Sequence, residues 1–208
     1  MGSEMCIRDR IGGVHASLMP DEALNHADAI VTGMAFETWP QLLLDFKNGA
    51  LKRHYDQSPQ MNFSNLPSPR KDLLPKFSYI SKNTIQATFG CPYKCDFCAV
   101  ISTQKKYLRR PVEDVIKEIS EMNGNFVTFI DPSPMEDKKY IKRLLREMIP
   151  LKKMWGGLAT VKIGDDEELM DLCAESGCKG LLIGFESIEQ DALVEINKGF
   201  NVVEKYRN

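Results

Sequence analysis

The amino-acid sequence predicts an α/β protein with parallel strands, and three observations support that prediction. Short apolar runs typical of buried strands alternate with stretches whose apolar residues recur at helical spacing. In the second half of the chain, one strand-and-helix repeat takes about 30 residues, as in a βαβ unit. Polar residues follow the ends of the apolar runs, which is where parallel α/β barrels carry their ligands.

The composition is that of an ordinary globular protein. Of the 208 residues, 43% are hydrophobic and 27% are charged, close to the average for globular domains. A formal net charge of −2 gives no electrostatic attraction to nucleic acid or to an anionic membrane. No apolar run approaches the length of a membrane-spanning helix. We therefore expect no nucleic-acid partner and no membrane span.

The chain begins with a stretch, residues 1–10, that fits neither pattern, and we leave it unassigned as a tag or another non-native end. Residues 11–47 then follow the order turn, helix, strand and helix, which suits a parallel sheet. The predicted elements are a tight turn at Gly12-Gly13, a helix from Pro20, a buried strand over 28–33 and a helix from Glu37.

Residues 48–80 are predicted to form an irregular linker. Prolines at 59, 67, 69 and 75 interrupt any regular pattern there, and serines and asparagines lie between them. Tyr55 is interpreted as a local packing anchor within this linker.

From residue 81 the chain alternates strand and helix four times. The predicted strands are 84–89, 126–130, 155–161 and 181–185, and the predicted helices cover about 112–122, 140–148, 165–176 and 189–197. A complete eight-stranded barrel takes about 250 residues. Residues 81–208 therefore predict the first part of a barrel, and the chain is interpreted as a fragment.

Three cysteines stand on the loop after the first of these strands, with three and two residues between them: Cys91, Cys95 and Cys98. Thiolates this close converge on a soft metal centre, either zinc or iron–sulfur. A structural zinc site or an electron-transfer cluster is closed by four protein ligands. Here the loop supplies three, and it contains no histidine. Three thiolates on a four-iron cluster leave one iron open to a small molecule, and a zinc loop is the alternative.

This motif, with the aromatic Phe97 before its third cysteine, resembles that of the radical S-adenosylmethionine (radical SAM) superfamily. The resemblance implies a partial (βα)6 barrel, of which this chain has about the first four strands. It also implies a [4Fe–4S] cluster on the three cysteines, with S-adenosylmethionine on the open iron. One electron, from a donor such as flavodoxin or ferredoxin, then cleaves S-adenosylmethionine to a 5′-deoxyadenosyl radical.

Residues 11–47 resemble the end of the Rossmann-like cobalamin-binding domain that precedes the barrel in one radical SAM class. The likeness lies in Gly12-Gly13-Val14-His15, in Pro20-Asp21-Glu22 and in Glu37 after the predicted strand. The chain departs from the pattern at Met34, where the class has an acidic residue. The class includes methylases and ring-forming enzymes, which implies methyl transfer or ring formation on a small organic substrate, with cobalamin as a candidate cofactor. A radical SAM enzyme without cobalamin and a non-enzymatic iron–sulfur or zinc protein are the alternatives.

The resemblance also assigns roles to residues at the strand ends, none of them as a general acid or base. Phe97 is expected beside the adenine, Asp131 at the amino group of the methionine part, and Glu186 at the ribose hydroxyls. The remaining cofactor-binding candidates at this edge are Ser133, Thr160 and Ser187. The structural alternatives are a packing ring for Phe97 and a strand-end cap for Asp131.

Three further residues are predicted to have structural roles. Cys173 and Cys178 are expected to pack as small apolar residues, with an auxiliary cluster or a thiyl intermediate as the alternatives. Lys198 is expected to be a solvated lysine at a helix end, with contact to the cofactor carboxylate or the substrate as the alternative. A loop of free thiolates suits a reducing compartment, so we expect a cytoplasmic protein.

Overall fold

The computed structural model describes residues 9–58, 61–64, 66–75, 79, 81–100 and 106–207, and it divides the chain into two compact units, Met1–Asn62 and Phe63–Asn208. Of the unassigned stretch 1–10, residues 1–8 lie outside the described residues, Cys6 among them. Arg10 belongs to the first strand, so the regular fold begins one residue earlier than predicted. Within the described ranges, no helix is long and apolar enough to cross a membrane.

The first unit is a three-stranded parallel sheet with helices. Its strands, in spatial order, are β1 (Arg10–Gly12), β2 (Ala29–Thr32) and β3 (His54–Asp56). Its helices are α1 (Val14–Leu18), α2 (Pro20–Ala23) and α3 (Thr38–Lys47). The central strand β2 is buried along its whole length, because apolar residues pack on both of its faces. Val31 lies in one core cluster with Leu42, and Ile30 lies in another with Ala16.

Two features of this unit differ from the sequence prediction. Of the predicted turn at Gly12-Gly13, Gly12 belongs to β1 and only Gly13 turns the chain. The φ of Gly13 is 94°, which favours glycine, and α1 begins directly after it. Strand β3 lies within the predicted linker. It was missed because only its middle residue, Tyr55, is buried, so three residues carry no periodic signal.

The second unit contains a four-stranded parallel sheet in the order β4-β7-β8-β9, so sequential strands of this sheet are neighbours. Its strands are β4 (Thr84–Ile85), β7 (Phe126–Phe129), β8 (Met154–Ala159) and β9 (Cys178–Ile183); β5 (Thr88–Phe89) and β6 (Leu108–Arg109) form a separate antiparallel pair. The helices are α4 (Val112–Glu121), α5 (Lys138–Met148), α6 (Glu167–Glu175) and α7 (Gln190–Glu195). The predicted parallel α/β succession and partial barrel are confirmed.

One hydrophobic core joins the sheet to helices α4, α5 and α6. Helix α5 contributes residues at i, i+3, i+4 and i+7, all of them buried: Ile141, Leu144, Leu145 and Met148. Trp155 of β8 is fully buried, and its indole nitrogen donates a hydrogen bond to Ser176 Oγ at 3.0 Å. Helices α5 and α6 begin at side-chain caps, since Asp137 accepts a hydrogen bond from Tyr140 N and Asp166 accepts one from Leu169 N.

Two strand predictions in this unit need correction. The run 84–89 is not one strand, because the chain leaves the parallel sheet after Ile85 and β5 pairs with β6 instead. The fourth strand begins at Cys178 rather than 181, so Cys178 lies in β9 and not in a turn.

Candidate cofactor site

The ends of the second unit's strands carry most of the residues that the sequence selects. The cysteine loop follows β5, Asp131 follows β7, Thr160 follows β8, and Glu186 follows β9. Strands β7, β8 and β9 are parallel, so their carboxyl ends share one edge of the sheet. Strand β5 is not part of that sheet, but the cysteine loop contacts this edge through the hydrogen bond of Tyr93 to Glu136, and the edge and the loop form the candidate site.

The cysteine loop begins at Gly90, whose φ of 78° turns the chain away from β5. Cys91, Cys95 and Cys98 are all free thiols; Cys95 is buried and the other two are partly exposed. The backbone N–H of Cys98 donates to the carbonyl of Cys95 at 3.1 Å, which tightens the second half of the motif. Phe97 between them is 57% exposed, with Lys198 Nζ 5.7 Å from its ring centroid.

Two contacts made over long sequence distances anchor this loop. Tyr93 stacks on Phe200, with the ring centroids 3.8 Å apart, and its hydroxyl donates to Glu136 Oε2 at 2.5 Å. On the other side of Cys95, Asp96 accepts a hydrogen bond from Asn197 Nδ2 at 2.6 Å, and its backbone N–H donates to the carbonyl of Ile196 at 3.2 Å. The loop is therefore held by elements that follow β7 and β9.

Glu136 is a central residue of the site that the sequence interpretation missed. Its Oε1 accepts from Thr160 Oγ1 at 2.9 Å and from Ser133 Oγ at 3.4 Å, while its Oε2 accepts from Tyr93. Two predicted candidates, Ser133 and Thr160, are thus brought together by this carboxylate. The sequence feature that could have identified Glu136 is its position: it is an acidic residue in the loop after β7, directly before the helix cap Asp137.

Asp131 makes the hydrogen bonds of a strand-end cap, and its expected contact with the amino group of S-adenosylmethionine stays a prediction. It is fully buried, and Oδ1 accepts hydrogen bonds from the N–H of Ala87 at 3.0 Å, from the N–H of Thr88, and from Thr88 Oγ1 at 2.7 Å. These bonds hold the chain where it leaves the sheet between β4 and β5. Oδ2 is also buried and has no hydrogen-bond partner within the described part of the chain. Burial raises the pKa of Asp131 to about 6, against the opposing effect of the Thr88 and Ala87 hydrogen bonds.

Glu186 and Lys198 form an ion pair of 2.6 Å at the end of β9. Glu186 has a φ of 66°, a left-handed conformation that costs a non-glycine residue energy. The pair folds over Gly184, where a Cβ atom would clash with Glu186 Oε1 and lie 3.0 Å from Lys198 Nζ. Lys198 is only 8% exposed, so the prediction of a solvated lysine is wrong. It was missed because Lys198 is buried by contacts with other segments.

Ser187 is engaged in local structure. Its hydroxyl accepts a hydrogen bond from the N–H of Glu189 at 3.0 Å, and its N–H donates to the carbonyl of Phe185. Both contacts shape the turn before α7, and the expected contact of Ser187 with the cofactor stays a prediction.

The electrostatics of the cysteines differ with their position. Burial raises the pKa of Cys95, while Lys198 opposes that effect by favouring the thiolate. Burial raises the pKa of Cys173 to about 12, which fits an inert packing residue. Cys173 belongs to the core, and Cys178 packs against it.

The donors of the loop fit an iron–sulfur ligand set, since three free thiols on one segment are the soft ligands that such clusters take. In the described ranges, no three His, Cys, Asp or Glu side chains converge closely enough to hold a single metal ion. Lys198 places a positive charge beside Cys95, where thiolates would ligate.

The fold and the loop together define a parallel α/β half-barrel with a loop of three free thiols beside the carboxyl ends of its strands. The chain belongs to the radical SAM superfamily, because the sequence profile of that family matches residues 85–207, more than half of the chain. The predicted family is confirmed.

Several curated relatives are methyltransferases. Bacteriochlorophyllide d C-12(1)-methyltransferase of Chlorobaculum tepidum is 29% identical over 214 residues, which cover 94% of this chain and 45% of the relative. The C-8(2)-methyltransferase of the same organism is 30% identical over 222 residues, covering 94% and 48%. The hopanoid C-2 methylase of Rhodopseudomonas palustris is 25% identical, covering 93% and 39%. The chain thus spans less than half the length of these relatives.

Solved structures share the fold. The radical S-adenosylmethionine methyltransferase TsrM from Kitasatospora setae superimposes with a TM-score of 0.76 at 18% identity, over 89% of this chain and 43% of TsrM. TsrM has been solved with tryptophan and a SAM analogue, and also with cobalamin and a [4Fe–4S] cluster.

Proposed function

We propose that this chain is the cofactor-binding part of a radical SAM methyltransferase that acts on a small organic substrate. The observation that carries the proposal is the loop of three free thiols beside the ends of parallel strands. The methyltransferase assignment is supported by relatives that match nearly the whole chain. When bound, the cluster and S-adenosylmethionine supply the electron and the 5′-deoxyadenosyl radical.

In this proposal Cys91, Cys95 and Cys98 hold the cluster. The loop that carries them is anchored at Tyr93 and at Asp96 by hydrogen bonds to other segments. Phe97, exposed on the loop, is the candidate for contact with the adenine.

Glu186 is the candidate for the ribose, and its ion pair with Lys198 determines how it is presented. A carboxylate that already accepts from Lys198 is held in one rotamer, which lowers the entropy cost of a second hydrogen bond. The strained backbone at Glu186 supports a functional role, since such strain concentrates at ligand sites. The side chain of Glu186 is about one-third exposed and accessible to a ligand.

The first unit is the candidate for cobalamin. Two backbone amides directly after β2 donate to side-chain oxygens of neighbouring segments: Gly33 N donates to Ser17 Oγ and Met34 N donates to Gln57 Oε1, both at 2.9 Å. The matches to the two bacteriochlorophyllide methyltransferases extend over this unit, since they cover 94% of the chain. Cobalamin added to the purified chain should shift the visible spectrum of the cofactor; an unchanged spectrum would favour the alternative of a radical SAM enzyme without cobalamin.

We further propose a cytoplasmic protein that receives electrons from a small reductant such as flavodoxin or ferredoxin. Free thiols on an accessible loop support the compartment. The electron donor is supported by the family assignment alone.

The test of the proposal is metal content. After anaerobic reconstitution with iron and sulfide, the chain should hold about four irons per molecule and develop broad thiolate-to-iron absorption. Cys95→Ala should lose this centre, whereas the matched control Cys178→Ala should retain it. A colourless protein with one zinc per chain would refute the proposal and establish the zinc alternative.

A further inference from the structure

Tyr93 occupies a position that the three-thiol chemistry alone does not explain. It lies two residues before Cys95, its ring stacks on Phe200 at an interplanar angle of 18°, and its hydroxyl reaches Glu136. Lys162 Nζ lies 5.3 Å from the centre of the same ring. Residues from three other segments therefore meet at one side chain of the cysteine loop.

Glu136 connects this side chain to the strand ends. It accepts hydrogen bonds from three hydroxyl groups, those of Tyr93, Ser133 and Thr160. Ser133 follows β7 and Thr160 follows β8, so one carboxylate links the loop to both strand ends. A hydrogen bond to an ionised acceptor is roughly twice as strong as a neutral one. This link is therefore a stronger restraint than an ordinary loop contact.

The second anchor of the loop, at Asp96, reaches the segment after α7 rather than the ends of β7 and β8. Loss of the Tyr93 hydroxyl would leave that anchor and the stacking on Phe200 intact. The loop would stay attached, but its position relative to β7 and β8 would no longer be set by Glu136.

We propose that Tyr93 and Glu136 are a positioning pair. Their hydrogen bond sets the distance between the cysteine loop and the ends of β7 and β8, so that one S-adenosylmethionine molecule can contact both the cluster and the strand ends. This inference rests on the proposed function. It assigns the pair a role in seating the cofactor and none in ligating iron. Neither residue is a catalytic residue in this proposal.

The experiment uses four variants of the whole reconstituted chain: Tyr93→Phe, Glu136→Ala, the double variant, and Glu136→Gln, which keeps an acceptor oxygen. Tyr55→Phe is the matched control, because Tyr55 also donates its hydroxyl to a carboxylate, Asp45 Oδ2 at 3.0 Å, within the first unit. Iron content and the electron paramagnetic resonance spectrum of the reduced cluster are measured, the latter during titration with S-adenosylmethionine.

We expect wild-type iron content in every variant. Tyr93→Phe and Glu136→Ala should each raise the half-saturating S-adenosylmethionine concentration about tenfold, which corresponds to about 1.4 kcal/mol. The double variant should show no further loss, because both changes remove the same link. Glu136→Gln should recover part of the affinity, and Tyr55→Phe should match the wild type.

Additive losses in the double variant, or unchanged affinity in Tyr93→Phe, would overturn the positioning pair while leaving the proposed function standing. Loss of iron in Tyr93→Phe would also overturn it, since that result makes the residue part of cluster retention. A wild-type chain that binds no iron would refute the proposed function itself.

Discussion

The buried carboxyl group of Asp131 holds the chain segment that leads into the cysteine loop, and its titration can be tested directly. The carboxyl group is completely buried and holds the kink between β4 and β5 through three hydrogen bonds to Oδ1. Its pKa in the folded protein is about 6, against an ordinary value of 3.8, and the main cause is burial. The folded state therefore binds the Asp131 proton more tightly than the unfolded state does.

The sign of the pH dependence follows from this difference. The contribution of the protonated carboxyl to the free energy of unfolding is complete below pH 3.8 and is lost as the pH rises through 6. The difference between the two pKa values corresponds to about 3 kcal/mol. Tyr107 and Tyr140, which interact electrostatically with Asp131, stay neutral in this window because burial raises the pKa of each.

Asp131→Asn removes the titration while keeping an acceptor oxygen for Ala87 and Thr88. Its amide would occupy the site of Oδ2, where no partner is described, at a cost that does not depend on pH. We therefore expect the free energy of unfolding of the variant, relative to wild type, to increase by about 3 kcal/mol between acidic and neutral pH.

Urea unfolding of both proteins at several pH values between about 4 and about 7 measures this difference. Asp166→Asn is the matched control, because the stability contribution of Asp166 is lost only below this pH range, so its stability difference from wild type should change little within the range. The hydrogen bond from Lys142 holds the pKa of Asp166 below its ordinary value, so its stabilising contribution is present above pH 3.8 and is lost as the pH falls through the lower folded pKa. If the stability difference between wild type and Asp131→Asn were constant over the range, the reasoning from burial would be refuted.

Three further predictions concern the site and the core. Glu186→Gln should weaken S-adenosylmethionine binding about tenfold, or about 1.4 kcal/mol, without loss of iron, as measured by titration of the reconstituted chain; unchanged affinity would make Glu186 structural. Gly184→Ala should displace the ion pair of Glu186 with Lys198, because the added Cβ would occupy the space of their side chains. S-adenosylmethionine binding should weaken at least as much as in Glu186→Gln, and an affinity equal to wild type would contradict the packing of the ion pair over Gly184. Leu144→Ala should lower the free energy of unfolding by about 2–5 kcal/mol in urea titrations, since the side chain is fully buried in the core, whereas the exposed Met170→Ala should change it by less than about 1 kcal/mol.

The sequence alone was sufficient for features that depend on local spacing. Apolar residues at helical intervals located α4, α5 and α6, because burial of one face repeats every turn. The three thiols within eight residues identified the candidate metal-ligating loop, because cysteines so close in sequence lie near one another before the chain folds.

Only the tertiary structure could decide contacts between distant segments. Glu136 meets Tyr93 across 43 residues, and Asn197 meets Asp96 across 101. No local pattern marks a glutamate as the acceptor of three hydroxyls or a helix-end lysine as buried. Asp131 illustrates the same limit: the sequence placed it at a strand end, but whether its carboxylate faces a ligand or the backbone of Thr88 depends on how β5 departs from the sheet. Burial and hydrogen bonding are properties of the assembled neighbours, so these roles were fixed when the segments packed together.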